Sequence, residues 1–238
     1  MLMRKPHLWI IAGPNGAGKT SLVRDGALGA ALSSCEFINP DALTLDYLKE
    51  KGINTWAEAE SKPDLLLSTF VRAAEDSQKL LERRIEEGGN VAVESVLSTK
   101  KYCALVERVH QLGGVFRLVY VMLHSPHLSR VRVDQRSLEG GHDVPSEKLE
   151  SRWKSSLEWL PWFASRADQF WILDNSESHT GGVGRLVFTG SRHQIRLHGV
   201  PAAPSRRIAS EILTQHSRQS PSGDWRIELD DARQTFHS

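Results

Sequence analysis

The chain has 238 residues, 39% of them hydrophobic and 25% charged, which suits one sizeable soluble core with room for an appendage. A formal charge of +1 argues against a partner held by bulk electrostatics, nucleic acid above all. No apolar run approaches the roughly 20 residues that span a bilayer, so the expectation is a cytoplasmic protein with no membrane partner.

Leu8-Trp9-Ile10-Ile11-Ala12 is an unbroken apolar run, the pattern of a strand buried on both faces. Gly13-Pro14-Asn15-Gly16-Ala17-Gly18-Lys19-Thr20 follows directly and completes a G-x-x-x-x-G-K-T octet. Such a loop wraps a phosphate and aims successive backbone N–H groups at its oxygens. Lys19 then reaches the β- and γ-phosphates and the Thr20 hydroxyl takes a place on Mg²⁺. Ser21 to Arg24 can continue as a helix whose N-terminus faces the anion. A glycine-rich turn carrying a stray lysine would not need this strand and helix in register. Gly13 to Ser21 are therefore read as a nucleotide-phosphate site.

That helix is expected to run from Gly18 to about Leu32, followed by a short strand at Glu36-Phe37-Ile38. Asn39-Pro40-Asp41 ends the strand, and a helix covers Ala42 to Lys49. From Trp56 to Glu87 a long helical pattern follows, with a break near Pro63 and Leu66, Phe70, Ala73, Ala74 and Leu81 on one face. Asn90 to Val93 is a third strand ending in Glu94-Ser95, and Lys100 to Leu112 is helical. Val115 to Leu123 is a fourth strand. Ser125 caps the next helix with Pro126 at its first position; it runs towards Leu138 and the loop Glu139-Gly140-Gly141-His142-Asp143-Val144-Pro145. A helix over Ser146 to Trp159 and a fifth strand over Gln169 to Leu173 follow. Cys35 and Cys103 fit no metal spacing and read as small apolar residues of a reducing compartment.

This alternation predicts an α/β fold, a parallel sheet of about five strands with helices on both faces. The strands' carboxyl ends then share one edge, which gathers the phosphate loop, Asp41, Glu94, His124 and Asp174. Past Ser176 the pattern changes to a β-hairpin (Arg185 to Phe188, His193 to Leu197), a linker at Pro201 to Pro204 and a helix over Ser205 to His216. The expected division is a kinase-like domain over 1–176, with a lid at about 125–155, and a partly disordered appendage over 177–238.

Phosphoryl transfer needs a group that orients or deprotonates the acceptor hydroxyl, and cations for the charge on the moving group. Asp41, just past the second strand, is the candidate base; it equally reads as the N-cap of the helix from Ala42. Glu94 can hold the metal's water shell or accept from an acceptor hydroxyl, with Ser95 beside it. Arg130, Arg132, Arg136 and Arg152 bracket the Gly-Gly-His-Asp loop, an arrangement for a lid that brings arginines in on closure. Of these Arg136 and Arg152 are favoured as catalytic. His142 either contacts phosphate or decorates the loop.

Gly13 to Ser21, Phe37-Ile38-Asn39-Pro40-Asp41, Val93-Glu94-Ser95 and the Gly140 to Pro145 segment followed by Arg152 together resemble the zeta-toxin family of P-loop kinases. The likeness is to its compact branch, often labelled predicted ABC-type ATPases, and spans roughly Leu8 to Asn175. It implies transfer of the γ-phosphoryl group of ATP, with Mg²⁺, to a sugar hydroxyl such as that of UDP-N-acetylglucosamine. By that resemblance Asp41 is the general base, Glu94 an acceptor-binding carboxylate, and Lys19 and Thr20 the phosphate and metal residues. One of two expected lid arginines falls at His142, with Arg136 and Arg152 as replacements. An antitoxin protein is the implied partner, beside the small-molecule acceptor. A transporter-type ATPase is rejected, because Leu138 to His142 only echoes its signature and no strand ends Asp-Glu. The competing reading is a nucleotide-dependent switch that binds ATP without metabolic turnover.

Overall fold

A computed structural model describes residues 4–24, 28–141, 144–177, 184–192, 194–198 and 226–230, with residues 207–208, 210–212 and 214–215. In chain order these form β1 (His7–Ala12), α1 (Lys19–Arg24), α2 (Gly29–Leu32), β2 (Glu36–Ile38), α3 (Pro40–Lys49), α4 (Trp56–Glu60) and α5 (Pro63–Glu86). Then come β3 (Asn90–Ser95), α6 (Cys103–Gln111), β4 (Val115–Met122), α7 (Pro126–Leu138), α8 (Ser146–Arg166) and β5 (Gln169–Asp174). Strands β6 (Arg185–Ser191), β7 (Gln194–His198) and β8 (Arg226–Asp230) complete the chain.

All the strands share one eight-stranded sheet in the order β2-β3-β1-β4-β5-β6-β7-β8. The first five positions are parallel throughout. The apolar runs of the sequence are the reason: β1 and β4 are buried on both faces, and only crossover helices can cover both faces of a sheet. The expected hairpin joins this sheet, with β6 antiparallel to β5 and to β7. Arg226–Asp230, for which the sequence raised no expectation, adds β8 parallel to β7.

One face of the sheet is covered by Leu81 and Ile85 of α5, Leu105, Val106 and Val109 of α6 and Leu160, Phe163 and Ala164 of α8. The other is covered by Leu22 and Leu32 of the α1–α2 layer, with Leu128 and Trp153 packed alongside. Helix α3 folds back on α4 and α5 around Leu48, Ile53, Ala59 and Leu66.

Several element boundaries differ from expectation. Helix α8 does not stop at Trp159 but continues through Pro161 to Arg166. An interior proline costs about 3 kcal/mol, but Leu160 and Phe163 on either side are fully buried, and each contributes about 1.5–3 kcal/mol. Burial wins. The helix expected from Gly18 to Leu32 is described as α1 and α2, with residues 25–27 outside the described set. The described residues of the Ser205–His216 helix are helical, and Ile208 and Ile212 are buried in the main core. His142, Asp143, Gly181 to Val183 and Pro201 to Pro204 lie outside the described residues.

Candidate functional site

The sheet order places β1 between β3 and β4, while β2 lies beyond β3. Chain direction across the sheet therefore reverses at β1, and an open α/β sheet has its crevice at that point. Gly13 leaves β1 at φ 142°, and a Cβ there would stand 2.1 Å from the Val121 carbonyl oxygen. Only glycine lets the loop pass this closely over β4. Lys19 is buried, and its Nζ donates to the Gly13 carbonyl at 2.9 Å and the Pro14 carbonyl at 3.1 Å. Burial pushes the Lys19 pKa down; the carboxylates of Glu94 and Asp41 act the other way, and Arg136 adds to the lowering.

Beside the loop, the Thr20 hydroxyl lies 3.1 Å from both Glu94 carboxylate oxygens. Asn39 Nδ2 donates to Glu94 Oε2 at 3.1 Å. Its other end, Oδ1, accepts from the backbone N–H groups of Asp41 and Ala42. The N-cap of α3 is therefore Asn39, with Pro40 at the first helical position. The capping role considered for Asp41 is corrected: a cap must sit one residue before the helix, and the helix starts at Pro40. The Asp41 side chain is left to face the cleft.

The segment after β3 forms a strap along the cleft floor. Leu97 has φ 60°, a conformation uncommon for a non-glycine residue. It is held there by a bond from its N–H to the Ser95 hydroxyl at 3.0 Å. Ser156 of α8 donates to the Val96 carbonyl at 2.6 Å and pairs with the Tyr120 hydroxyl at 2.8 Å. Tyr102 closes the strap; burial pushes its hydroxyl up to about 12, opposed by a bond to Ser95 and aided by Asp41.

Helix α7 docks on the phosphate loop itself. Ser129 donates to the Asn15 carbonyl at 2.5 Å, and Arg132 to the Gly16 carbonyl at 3.3 Å. Of the four lid arginines, Arg132, Arg136 and Arg152 line the cleft. Arg130 is turned away, onto the Val144 carbonyl and Asp134. On the far side of the loop, His124 Nε2 lies 2.6 Å from Asp174 Oδ2, and Asn175 donates to the Ala17 carbonyl at 2.9 Å. The expected edge thus splits. Asp41 and Glu94 meet at the cleft, while His124 and Asp174 turn to each other.

Together these residues enclose a cleft of about 400 Å³ that runs from Gly16, Lys19 and Thr20 to Asp41, Glu94 and the strap. A second cavity of about 660 Å³ shares Asn15, Pro40, Asp41, Arg136 and Arg152 with it. Its far wall is apolar, with Leu66, Leu67 and Phe70 of α5, and Lys148 adds a cation. Asp41 stands where the two meet. Sequence reasoning did not assign Asn39, Ser129 or the α5 wall. Asn39 carried the one available signal, since asparagine before proline at a helix start is a capping pattern.

The Zeta toxin family model matches residues 2–177. The chain belongs to the zeta-toxin family. Among curated proteins none matches it significantly in sequence. Among solved structures, the AvrRxo1-ORF1:AvrRxo1-ORF2 complex with sulphate ions superposes at TM-score 0.59 and 19% identity, over 87% of this chain and 64% of that one. The same complex with ATP gives 0.57 and 17%, over 88% and 64%. This zeta-toxin chain thus spans slightly less than two thirds of those neighbours' length. The PezAT chromosomal toxin–antitoxin system of Streptococcus pneumoniae gives TM-score 0.49 at 14% identity, over 91% of this chain and 87% of that one. At such identities the first two likenesses establish the fold alone, an α/β architecture. No helix among the described residues is long and apolar enough to cross a membrane.

Proposed function

We propose that this zeta-toxin family member is an ATP-dependent small-molecule kinase that phosphorylates a hydroxyl of a nucleotide-sugar-like acceptor, UDP-N-acetylglucosamine among the candidates. The observation that carries the reading is the position of Asp41 in the shared lining of two adjoining cavities. One cavity holds the phosphate loop, and the other has an apolar wall with cations at its rim.

The loop amides and Lys19 would bind the β- and γ-phosphates. Thr20 and Glu94 fit Mg²⁺, because they offer only oxygen donors, a hydroxyl and a carboxylate already converged. Two protein groups suffice for an ion that takes its other ligands from phosphates and water. Bound there, it would neutralise charge on the β- and γ-oxygens. Asp41 would accept the acceptor hydroxyl's proton as that oxygen attacks the γ-phosphorus. Arg132, Arg136 and Arg152 would spread the transition-state charge. The acceptor's flat or sugar portion would lie on Leu66, Leu67 and Phe70, and its phosphates near Lys148 and Arg152. Family membership supports an antitoxin as the protein partner.

The test is transfer from γ-labelled ATP with Mg²⁺ into nucleotide sugars, dinucleotides and cell extract. Lys19→Ala should abolish labelled product. Asp41→Asn should retain ATP binding and lose about 10²–10⁴ in turnover, the range for a general base. Unchanged turnover in Asp41→Asn would remove it from that role. Tight ATP binding with no product from any acceptor would favour a nucleotide-dependent switch instead.

A further inference from the structure

Asn39 touches both halves of the phosphate-facing machinery. Its Oδ1 accepts from the N–H groups of Asp41 at 2.9 Å and Ala42 at 3.3 Å, which fixes the first turn of α3 and hence the backbone that carries Asp41. Its Nδ2 donates to Glu94 Oε2 at 3.1 Å, on a strand 55 residues further along the chain. Glu94 in turn takes the Thr20 hydroxyl on both oxygens. The amide cannot turn over, because a flip would set its NH₂ against two backbone donors and its oxygen against a carboxylate.

Neither neighbouring residue type could do the same. Aspartate would cap the helix but present an acceptor to Glu94, and serine would cap it but end short of the carboxylate. Pro40 holds the backbone at the first helical position, where no N–H is needed. The Asn-Pro pair therefore gives a rigid bracket with one acceptor and one donor pointing in opposite directions.

We propose that Asn39 is a positioning residue, which clamps Glu94 against Thr20 and at the same time anchors the helix start that presents Asp41. Its donor end sets the oxygen pair that would meet the cation of a metal–nucleotide complex. Its acceptor end sets the base. The proposal rests on the reading of this cleft as an ATP–Mg²⁺ site. It predicts that the two ends separate by mutation. Asn39→Ser keeps a good helix cap and loses the donor, whereas Asn39→Ala loses both.

The experiment is calorimetric titration of ATP with and without Mg²⁺ in wild type, Asn39→Ser, Asn39→Ala and Glu94→Ala, alongside thermal melts. Asn39→Ser should melt within about 1 °C of wild type, and Asn39→Ala about 2–4 °C lower, as for loss of a cap in a chain of this size. Metal-free ATP affinity, set by the loop and Lys19, should be unchanged in Asn39→Ser. The strengthening of ATP binding by Mg²⁺ should fall about tenfold, as for loss of one hydrogen bond to a charged group. In a Glu94→Ala background, Asn39→Ser should change that strengthening no further.

A wild-type Mg²⁺ effect in Asn39→Ser would overturn the proposal, as would a tenfold loss that persists without Glu94. Absence of phosphoryl transfer to every acceptor, with Mg²⁺-strengthened ATP binding intact, would sink the kinase reading and leave Asn39 decided by the titrations. Absence of ATP binding in the wild type would overturn both.

Discussion

Ser156→Ala probes how the strap below the cleft is held in its uncommon conformation. Ser156 and Tyr120 are both fully buried. Since the Ser156 hydroxyl donates to the Val96 carbonyl at 2.6 Å, its oxygen must accept from Tyr120, 2.8 Å away. Removing Ser156 leaves the Tyr120 hydroxyl without its partner and releases Val96, one residue before Leu97 at φ 60°. A buried polar group left unpaired costs about 1–3 kcal/mol. Val96 is half-buried and can recover a bond from water, so Tyr120 dominates, and we expect a loss of about 2 kcal/mol. For a chain of this size that lowers Tm by about 4–8 °C. Adding Tyr120→Phe should restore about half of this loss, because the orphaned hydroxyl is then gone and both partners are apolar. Melts followed by circular dichroism give the cycle. A double variant as unstable as the sum of the two single variants would refute the relay, because independent sites add.

Two further outcomes follow from the same geometry. Arg132→Ala should lower turnover by about 10²-fold, the scale for one donor to a developing oxyanion, while Arg130→Ala, whose side chain faces Val144 and Asp134, should stay within about threefold; equal losses would dissolve the distinction. Tyr102 has its pKa raised by burial from 10.0 to about 12, so its contribution is fully present below pH 10 and is lost as pH rises from about 10 to 12. That window amounts to about 3 kcal/mol. In Tyr102→Phe the alkaline fall in urea midpoint should shrink accordingly, and an unchanged fall would show that the hydroxyl is not buried as described.

Much of the site was legible because it is local. An apolar run, a glycine pattern and a helix start lie within consecutive residues, and Gly13 at φ 142° is required by backbone geometry that the octet itself implies. Ser125 with Pro126 likewise marked the start of α7, and the structure has the Ser125 hydroxyl accepting from the Leu128 N–H. Asp41 was harder. Its position near the edge was readable, but base and cap competed until Asn39 proved to hold the cap. The lid arginines were harder still: spacing put Arg132 and Arg136 on one face, yet nothing in the spacing tells Arg132, which reaches Gly16, from Arg130, which turns to Val144.

What the sequence determined by itself is the five parallel strands β1 to β5, the loop between β1 and α1 and the edge on which those strands' carboxyl ends meet. Those follow from residue-to-residue periodicity and from the few backbone conformations open to glycine and proline. The tertiary structure alone decided the pairings across the chain: Asn39 with Glu94, 55 residues apart, Ser156 with Val96, 60 apart, and Arg132 with Gly16, 116 apart. It also decided that α5 would wall a second cavity with Leu66, Leu67 and Phe70. A side chain's partner depends on how crossover helices settle against the sheet and which rotamers that packing leaves open. No local pattern encodes that choice.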